Sequence, residues 1–341
     1  MTNLRVRGIG DLLAFLPYHL GFHPTDSLIL ISLSEGKLAF VHRLDRPAAG
    51  QRTDPGEVSL VLAALRRQPP DNVLIVGYGP GEQLSASAQQ LREDLLGYGL
   101  PISEVVVVEQ GRWRSVLCTD PQCCPADGQP LPEPSSVPAV CEYVGYGVSP
   151  SPDRAGLVRL LRPSLQSEVT SAFHEAVQQR RRGGPALADQ AWRRATLRAW
   201  TQVLAEQAEA SVRGLALAGL TEADSRDAVL AALSPAVVPP AILAPAAQED
   251  LRRLASWQAA DDLEECQRRR AVLVQLVREA PVQVRAPACT VLAIYAWSLG
   301  DGAMARVGLD EAFESDPSYP LADLMRRLLL LQVRPQDLSL S

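Results

Sequence analysis

Asp71-Asn72-Val73-Leu74-Ile75-Val76 and Glu104-Val105-Val106-Val107-Val108-Glu109, with the helically spaced stretch Glu82–Leu96 between them, decide the fold class. Each run is continuously apolar over four residues, which suits a strand covered on both faces. The intervening stretch places Leu84, Ala88, Leu91 and Leu95 on one face of a helix. A strand, a helix and a second strand in this order imply a right-handed crossover and a parallel pair. Upstream, Asp54–Arg67 repeats the helical spacing with Val58, Val61, Leu62 and Leu65. Ser27–Leu33 and Lys37–Leu44 flank Ser34-Glu35-Gly36, a compact turn, and read as an antiparallel hairpin. Residues 1–163 are therefore expected to form an α/β domain, with a mostly parallel sheet covered by helices.

Beyond Pro163 the strand signal fades. Ser164–Arg182, Leu187–Leu217, Thr221–Leu233, Pro245–Ala260, Leu263–Ala280, Val284–Leu299, Ala303–Ser315 and Pro320–Val333 each read as a helix, with Gly or Pro at most breaks. Thr221, with Asp224 three residues on, resembles a capping arrangement. Residues 164–341 are expected to be all-α, a bundle or a short solenoid. Gly300, Ala305, Ala312 and Pro317, preceded by Ala293 and Trp297, resemble one tetratricopeptide unit; an ordinary helical hairpin is the alternative. The stripe Leu321, Leu324, Met325, Leu328 and Leu331 reads as core.

Composition removes chemistries. Of the 341 residues 47% are hydrophobic and 21% charged, as in a globular protein, and no apolar run approaches the roughly 18 residues of a membrane span. The first residues carry no long apolar leader, so a cytoplasmic protein is expected. Lys37 is the sole lysine and completes no phosphate-binding loop of the G-x-x-x-x-G-K type. Neither H-E-x-x-H nor G-x-S-x-G occurs. The net charge of −6 is shared evenly by the two halves, which argues against nucleic acid as a partner. Arg268-Arg269-Arg270 follow Glu264-Glu265 at helical spacing and read as a solvated face. Arg180-Arg181-Arg182 read as a helix C-terminus.

Three stretches carry a resemblance: D-L-L-A-F-L-P-Y-H-L-G-F-H-P-T-D-S-L-I-L at Asp11–Leu30, G-R-W-R-S-V-L-C-T-D-P-Q-C-C-P at Gly111–Pro125, and W-S-L-G-D-G-A-M-A-R-V-G-L-D-E-A-F-E-S-D-P-S-Y-P-L-A-D-L at Trp297–Leu324. In order and spacing the chain resembles the actinobacterial family named domain of unknown function 4192. The resemblance implies a cytoplasmic actinobacterial protein and assigns no catalytic residue. That family often has an apolar residue where this chain has His23, which weakens this histidine as a catalyst.

The candidate sites are few. Gly77-Tyr78-Gly79-Pro80-Gly81 lies between a strand and a helix, where glycine lets backbone approach a ligand. It is not the dinucleotide fingerprint G-x-G-x-x-G. If a ligand binds, the carboxyl ends of the strands nominate Arg43, Asp45, Arg46, Gly77, Tyr78 and Gly79. The loop His23-Pro24-Thr25-Asp26-Ser27 reads as a turn in which Asp26 and Ser27 bond their own backbone, rather than as a nucleophilic triad. Cys118, Cys123, Cys124 and Cys141 lie in or just beyond a proline-rich loop over residues 118–138. No cofactor is required by this pattern, and reduced thiols are the main reading. Zinc on these four cysteines is the alternative, against which Cys141 lacks a near partner and adjacent Cys123 and Cys124 are expected to splay apart.

Two functions remain open. One is a binding or interaction protein without catalysis of its own, meeting a protein partner through its helical half. The other is an enzyme or a sensor of a phosphate-bearing or nucleotide-like metabolite at the strand ends.

Overall fold

The computed structural model describes residues 7–48, 51–67, 69–145, 148–164, 167–182, 187–254, 262–331, 333 and 335–338. The chain divides into two compact units, an α/β unit over residues 4–143 and a helical unit that takes most of the chain from Val144 onward.

In the α/β unit, α1 (Ile9–Leu20) precedes the hairpin β1 (Ser27–Ser34) and β2 (Lys37–Asp45). Glu35 and Gly36 both have positive φ, the requirement of the type I′ turn whose twist matches a two-residue hairpin. Then come α2 (Pro55–Arg67), β3 (Asn72–Tyr78), α3 (Gly81–Leu96), β4 (Ile102–Glu109), β5 (Arg112–Ser115), β6 (Gln129–Pro130) and α4 (Pro138–Gly145). Among the described residues the strands form one six-stranded sheet in the order β2-β1-β3-β4-β5-β6.

The α/β unit and the helical region that follows are as the sequence implies, but the sheet is mixed rather than mostly parallel. Only β3 and β4, joined through α3, run parallel; β2–β1, β1–β3, β4–β5 and β5–β6 are antiparallel. The reason is local. Tight turns at Glu35-Gly36 and Gln110-Gly111 close both outer hairpins, leaving a single helical crossover between adjacent strands.

Side-chain alternation sorts the two faces. Leu28, Leu30, Val73, Ile75, Val105 and Val107 meet Val58, Val61, Leu62 and Leu65 of α2 and Leu84, Ala88, Leu91 and Leu95 of α3. Ile29, Ile31, Leu74, Val76, Tyr78, Val106 and Val108 meet Leu12, Leu13 and Leu16 of α1. Burial on both faces explains why β3 and β4 read as unbroken apolar runs.

The helical unit contains α5 (Arg154–Leu160), α6 (Ser167–Arg182), α7 (Leu187–Leu204), α8 (Ala210–Gly219), α9 (Ala223–Leu233), α10 (Pro245–Leu254), α11 (Leu263–Glu279), α12 (Val282–Ser298), α13 (Gly302–Ser315) and α14 (Pro320–Leu330). The boundary expected at residue 163 falls inside this unit. Helix α5 belongs to it because Arg285 donates to Leu161 O at 2.7 Å and Arg154 pairs with Asp310 at 3.2 Å.

The helix expected over 187–217 is two, broken at Ala205–Glu209 where Glu206 takes positive φ. Neither glycine nor proline marks that break. Arg213 Nη1, from the first turn of α8, donates to Ala208 O at 2.6 Å and the distant Arg268 donates to Leu204 O, so one local and one tertiary arginine satisfy carbonyls that a continuous helix would use. Thr221 is not the cap of α9 either; its hydroxyl donates back to Ala218 O at 2.7 Å. The end of the helix expected over 245–260 lies outside the described residues.

Arginine is the internal fastener here. Arg269, expected on a solvated face, is buried against Glu265 at 2.6 Å, and Arg270 reaches Asp301 at 2.7 Å. Arg268 pairs with Glu265, three residues back rather than four, and with Glu206. Arg180 likewise holds Glu222 at 2.6 Å. Helices α12 and α13 form a close hairpin in which Gly308 leaves room for Ala293 and the Cys289 carbonyl. Of the leucine stripe on α14, Met325 is buried while Leu324 is 54% exposed, so the stripe is only partly core.

Candidate functional site

A pocket of about 700 Å³ opens at the carboxyl ends of β3 and β4. It lies on the α1 face of the sheet, as its walls show. Leu13, Ala14, Pro17 and Tyr18 come from α1, Tyr78, Val108 and Glu109 from the strand ends, and residues 131–134 from the segment after β6. The parallel pair creates the space: β3 and β4 end side by side, and α3 departs to the opposite face. That is where ligands enter open α/β sheets.

The lining is mainly apolar, with His23, Thr25, Glu109, Gln110 and Glu133 as its polar side chains besides the two tyrosines; among the described residues it includes neither lysine nor arginine. Tyr78 is buried, and its hydroxyl has no hydrogen-bond partner among the described residues. Burial pushes this phenol well above its ordinary range, so it remains a neutral hydroxyl. An unmade buried hydrogen bond costs free energy. The Tyr78→Phe protein, free of ligand, is therefore expected to gain about 1 kcal/mol of stability in urea unfolding. A loss of that size would show that the hydroxyl is already satisfied.

The six nominated residues separate. Tyr78 and Gly79 line the pocket. Gly79 has φ 135°, backbone that an L side chain rarely adopts, and a Cβ there would come within 3.0 Å of Leu84. Gly77 is not at the surface of the pocket but within β3, where a Cβ would meet Leu84 at 3.3 Å. Its lack of a side chain serves helix-on-sheet approach. Arg43 pairs with Asp45 at 2.6 Å on the outer strand β2. Arg46 pairs with Asp26 and reaches Gln83 Oε1 at 3.2 Å. Arg43 and Asp45 stand at the correct end of the sheet, since Asp45 aligns with Ser27 and Ser27 with Tyr78, but β1 lies between them and the pocket; Arg46 reaches past β1 to Asp26 and Gln83 without lining it.

The amino end of α3 is engaged as well. The Gly81 N–H donates to Glu109 Oε2 at 3.0 Å, so a carboxylate of this chain takes the place an anion would occupy. Arg114 donates to Ser85 Oγ at 3.2 Å beside it. Asp26 and Ser27 do not form the backbone turn expected of them. The Asp26 carboxylate holds Arg46, and Ser27 Oγ is buried without a partner among the described residues. No nucleophile paired with a base emerges from this loop.

The sequence reading missed Glu109, Tyr18, Leu131 and Pro132 as pocket residues. The wall they supply depends on β5 and β6, which return the chain to the sheet edge: Leu131 N–H donates to Gly111 O at 2.8 Å. The intervening cysteines also differ from expectation. Cys123 and Cys124 do not splay; their sulfurs lie 4.0 Å apart, and the Cys118, Cys123 and Cys124 sulfurs all lie within 4.8 Å of one another. Cys141 is apart from them, its thiol donating to Ser135 O at 3.2 Å. No helix among the described residues is long and apolar enough to cross a membrane.

A family model described as a domain of unknown function (DUF4192) matches residues 10–336. No curated protein and no solved structure matches the chain.

Proposed function

The chain belongs to the family described as a domain of unknown function (DUF4192), and within it we propose that the α/β unit binds a small molecule in the strand-end pocket. The observation that carries this reading is the pocket itself. At about 700 Å³ it has the size of a small-molecule site, and apolar walls with a few convergent polar groups are the usual construction. Glu109 and Glu133, with no lysine or arginine among the described lining residues, favour a cationic or neutral ligand over a phosphate. An apolar body would contact Leu13, Pro17, Tyr18 and Leu131, while an amine would approach the carboxylates. Binding rather than catalysis is the better account, because the polar groups show no nucleophile held by a base.

A series on one apolar body tests this: tryptamine, indole and indole-3-propionate, cationic, neutral and anionic. Tryptamine is expected to raise the melting temperature in proportion to the logarithm of its concentration above Kd, by the equivalent of about 2.7 kcal/mol at hundredfold excess. Indole is expected to act more weakly and the acid not at all. Thr25 is exposed at the pocket lining, so Thr25→Trp should block the response without unfolding the protein. A response to the acid equal to that of the amine contradicts the charge preference. Retention of the full tryptamine response in Thr25→Trp contradicts the location.

A second reading rests on Leu324, exposed on α14 of the helical unit. It assigns that unit to a protein partner in the cytoplasm, with the α12–α13 hairpin as a tetratricopeptide-like element.

A further inference from the structure

Between β5 and β6 the chain makes a folded excursion. Ser115 Oγ accepts from the N–H groups of Leu117 and Cys118, both at 3.0 Å, and donates to Glu104 at 2.8 Å. Asp120 closes the next turn: its carboxylate accepts from Gln122 N–H at 2.9 Å and its carbonyl from Cys124 N–H at 2.7 Å. Arg112 binds the far limb through Asp127 O at 2.7 Å and Gly128 O at 2.6 Å. Gly128, with φ 74°, is required there, because a Cβ would lie 2.9 Å from Trp113 O. The outcome of this bracing is the convergence of three sulfurs.

We infer that Cys118, Cys123 and Cys124 form a binding site for one zinc-class divalent ion, with the fourth coordination position open to water or an external ligand. Tetrahedral zinc with Zn–S bonds near 2.3 Å sets its sulfurs about 3.8 Å apart. The 4.0 Å between the Cys123 and Cys124 sulfurs fits that spacing, and the limit of 4.8 Å for the whole trio asks for only a small contraction. Adjacent cysteines ordinarily diverge, so their convergence on Cys118 is a property of the Asp120 turn. Cys141, engaged with Ser135 O, is not the fourth ligand. Three protein ligands leave the position that catalytic and exchange-type zinc sites keep for water.

Zinc is held by the thiolate forms of these side chains. Binding joins three sulfurs and one water to the metal, and the three thiol protons leave to solvent. No electron is transferred.

The full chain, purified without chelator, is expected to contain close to one zinc per molecule by elemental analysis. Cys141→Ser should retain it, whereas Cys123→Ser should lose most of it. In the unmodified chain, the three thiols should resist alkylation until a chelator is added; this reading needs no variant to fold. Cobalt(II) exchanged for zinc should give thiolate-to-cobalt charge-transfer absorption, with four-coordinate visible bands. Metal content no higher than in the triple Cys118→Ser/Cys123→Ser/Cys124→Ser protein would overturn the inference. So would alkylation of all three thiols at the same rate with and without chelator. A disulfide within the trio in protein isolated without oxygen would also overturn it.

Discussion

Asp250→Asn is expected to remove about 3–5 kcal/mol from the stability of the helical unit at neutral pH. Asp250 on α10 is fully buried, and its Oδ2 accepts from Arg193 Nε at 2.9 Å and Nη2 at 2.6 Å. Its Oδ1 accepts from Arg194 Nε at 2.5 Å, so one carboxylate binds two successive guanidinium groups of α7. Burial alone would raise this carboxyl, but the hydrogen bonds from Arg194 and Arg193 outweigh it, and it titrates below the usual carboxylate range. The amide offers a neutral acceptor and leaves the buried Arg193 charge uncompensated. A depressed native pKa means that this contribution is complete above the unfolded value near ~4. It is lost as pH falls through the lower native value. The gap between wild type and variant in urea unfolding should therefore be widest near neutrality and narrow in acid. A neutral-pH difference below about 1 kcal/mol would mean that the pair does not organise the α7–α10 contact.

Gly214→Ala is the second large effect, a loss of about 2–3 kcal/mol, read by the same unfolding measurement. A Cβ at Gly214 of α8 would lie 2.6 Å from Ala172 Cβ and 2.7 Å from Phe173 N on α6. The second contact is with backbone, so no rotamer change relieves it; α6 and α8 must separate. Alanine favours the helix itself by about 1 kcal/mol over glycine, which offsets part of the cost. Half-buried Gly302, with open space around its missing Cβ, is the control, and Gly302→Ala should be neutral or stabilising. A Gly214→Ala protein as stable as wild type would show that these helices pack less closely than described.

What could be read from the chain follows from which interactions are local. Hydrophobic alternation and turn chemistry are local, so β1 to β4, α2 and α3 are legible with small shifts at their ends. Strands β5 and β6 are not. Arg112-Trp113-Arg114-Ser115 is half cationic, and Gln129-Pro130 is two residues paired across a loop. The break between α7 and α8 is equally hidden, because Arg268, 64 residues on, caps the end of α7 where neither glycine nor proline stands. Arg269, expected on a solvated face, is buried beside Glu265, and the burial of Arg193 is equally hidden because its carboxylate partner is 57 residues away.

The site divides similarly. Gly79 and Tyr78 were visible as a strand-to-helix turn, and the carboxyl edge is where the pocket lies. Strand order was not visible, and it decides which edge residues meet. With β1 inserted between β2 and β3, Arg43 and Asp45 are held away from the opening, and Arg46 is spent on Asp26 and Gln83. The polar wall instead uses Glu109, which the sequence presents only as the end of a strand.

The location of binding is most directly tested by mapping amide ¹H–¹⁵N shifts while tryptamine is titrated into the full chain. The account predicts saturable shifts at Gly79, Glu109, Gln110 and Gly111, with Arg43, Asp45 and Arg46 unmoved. Shifts largest at those three residues, shifts confined to the helical unit, or no saturable shift at all would contradict it.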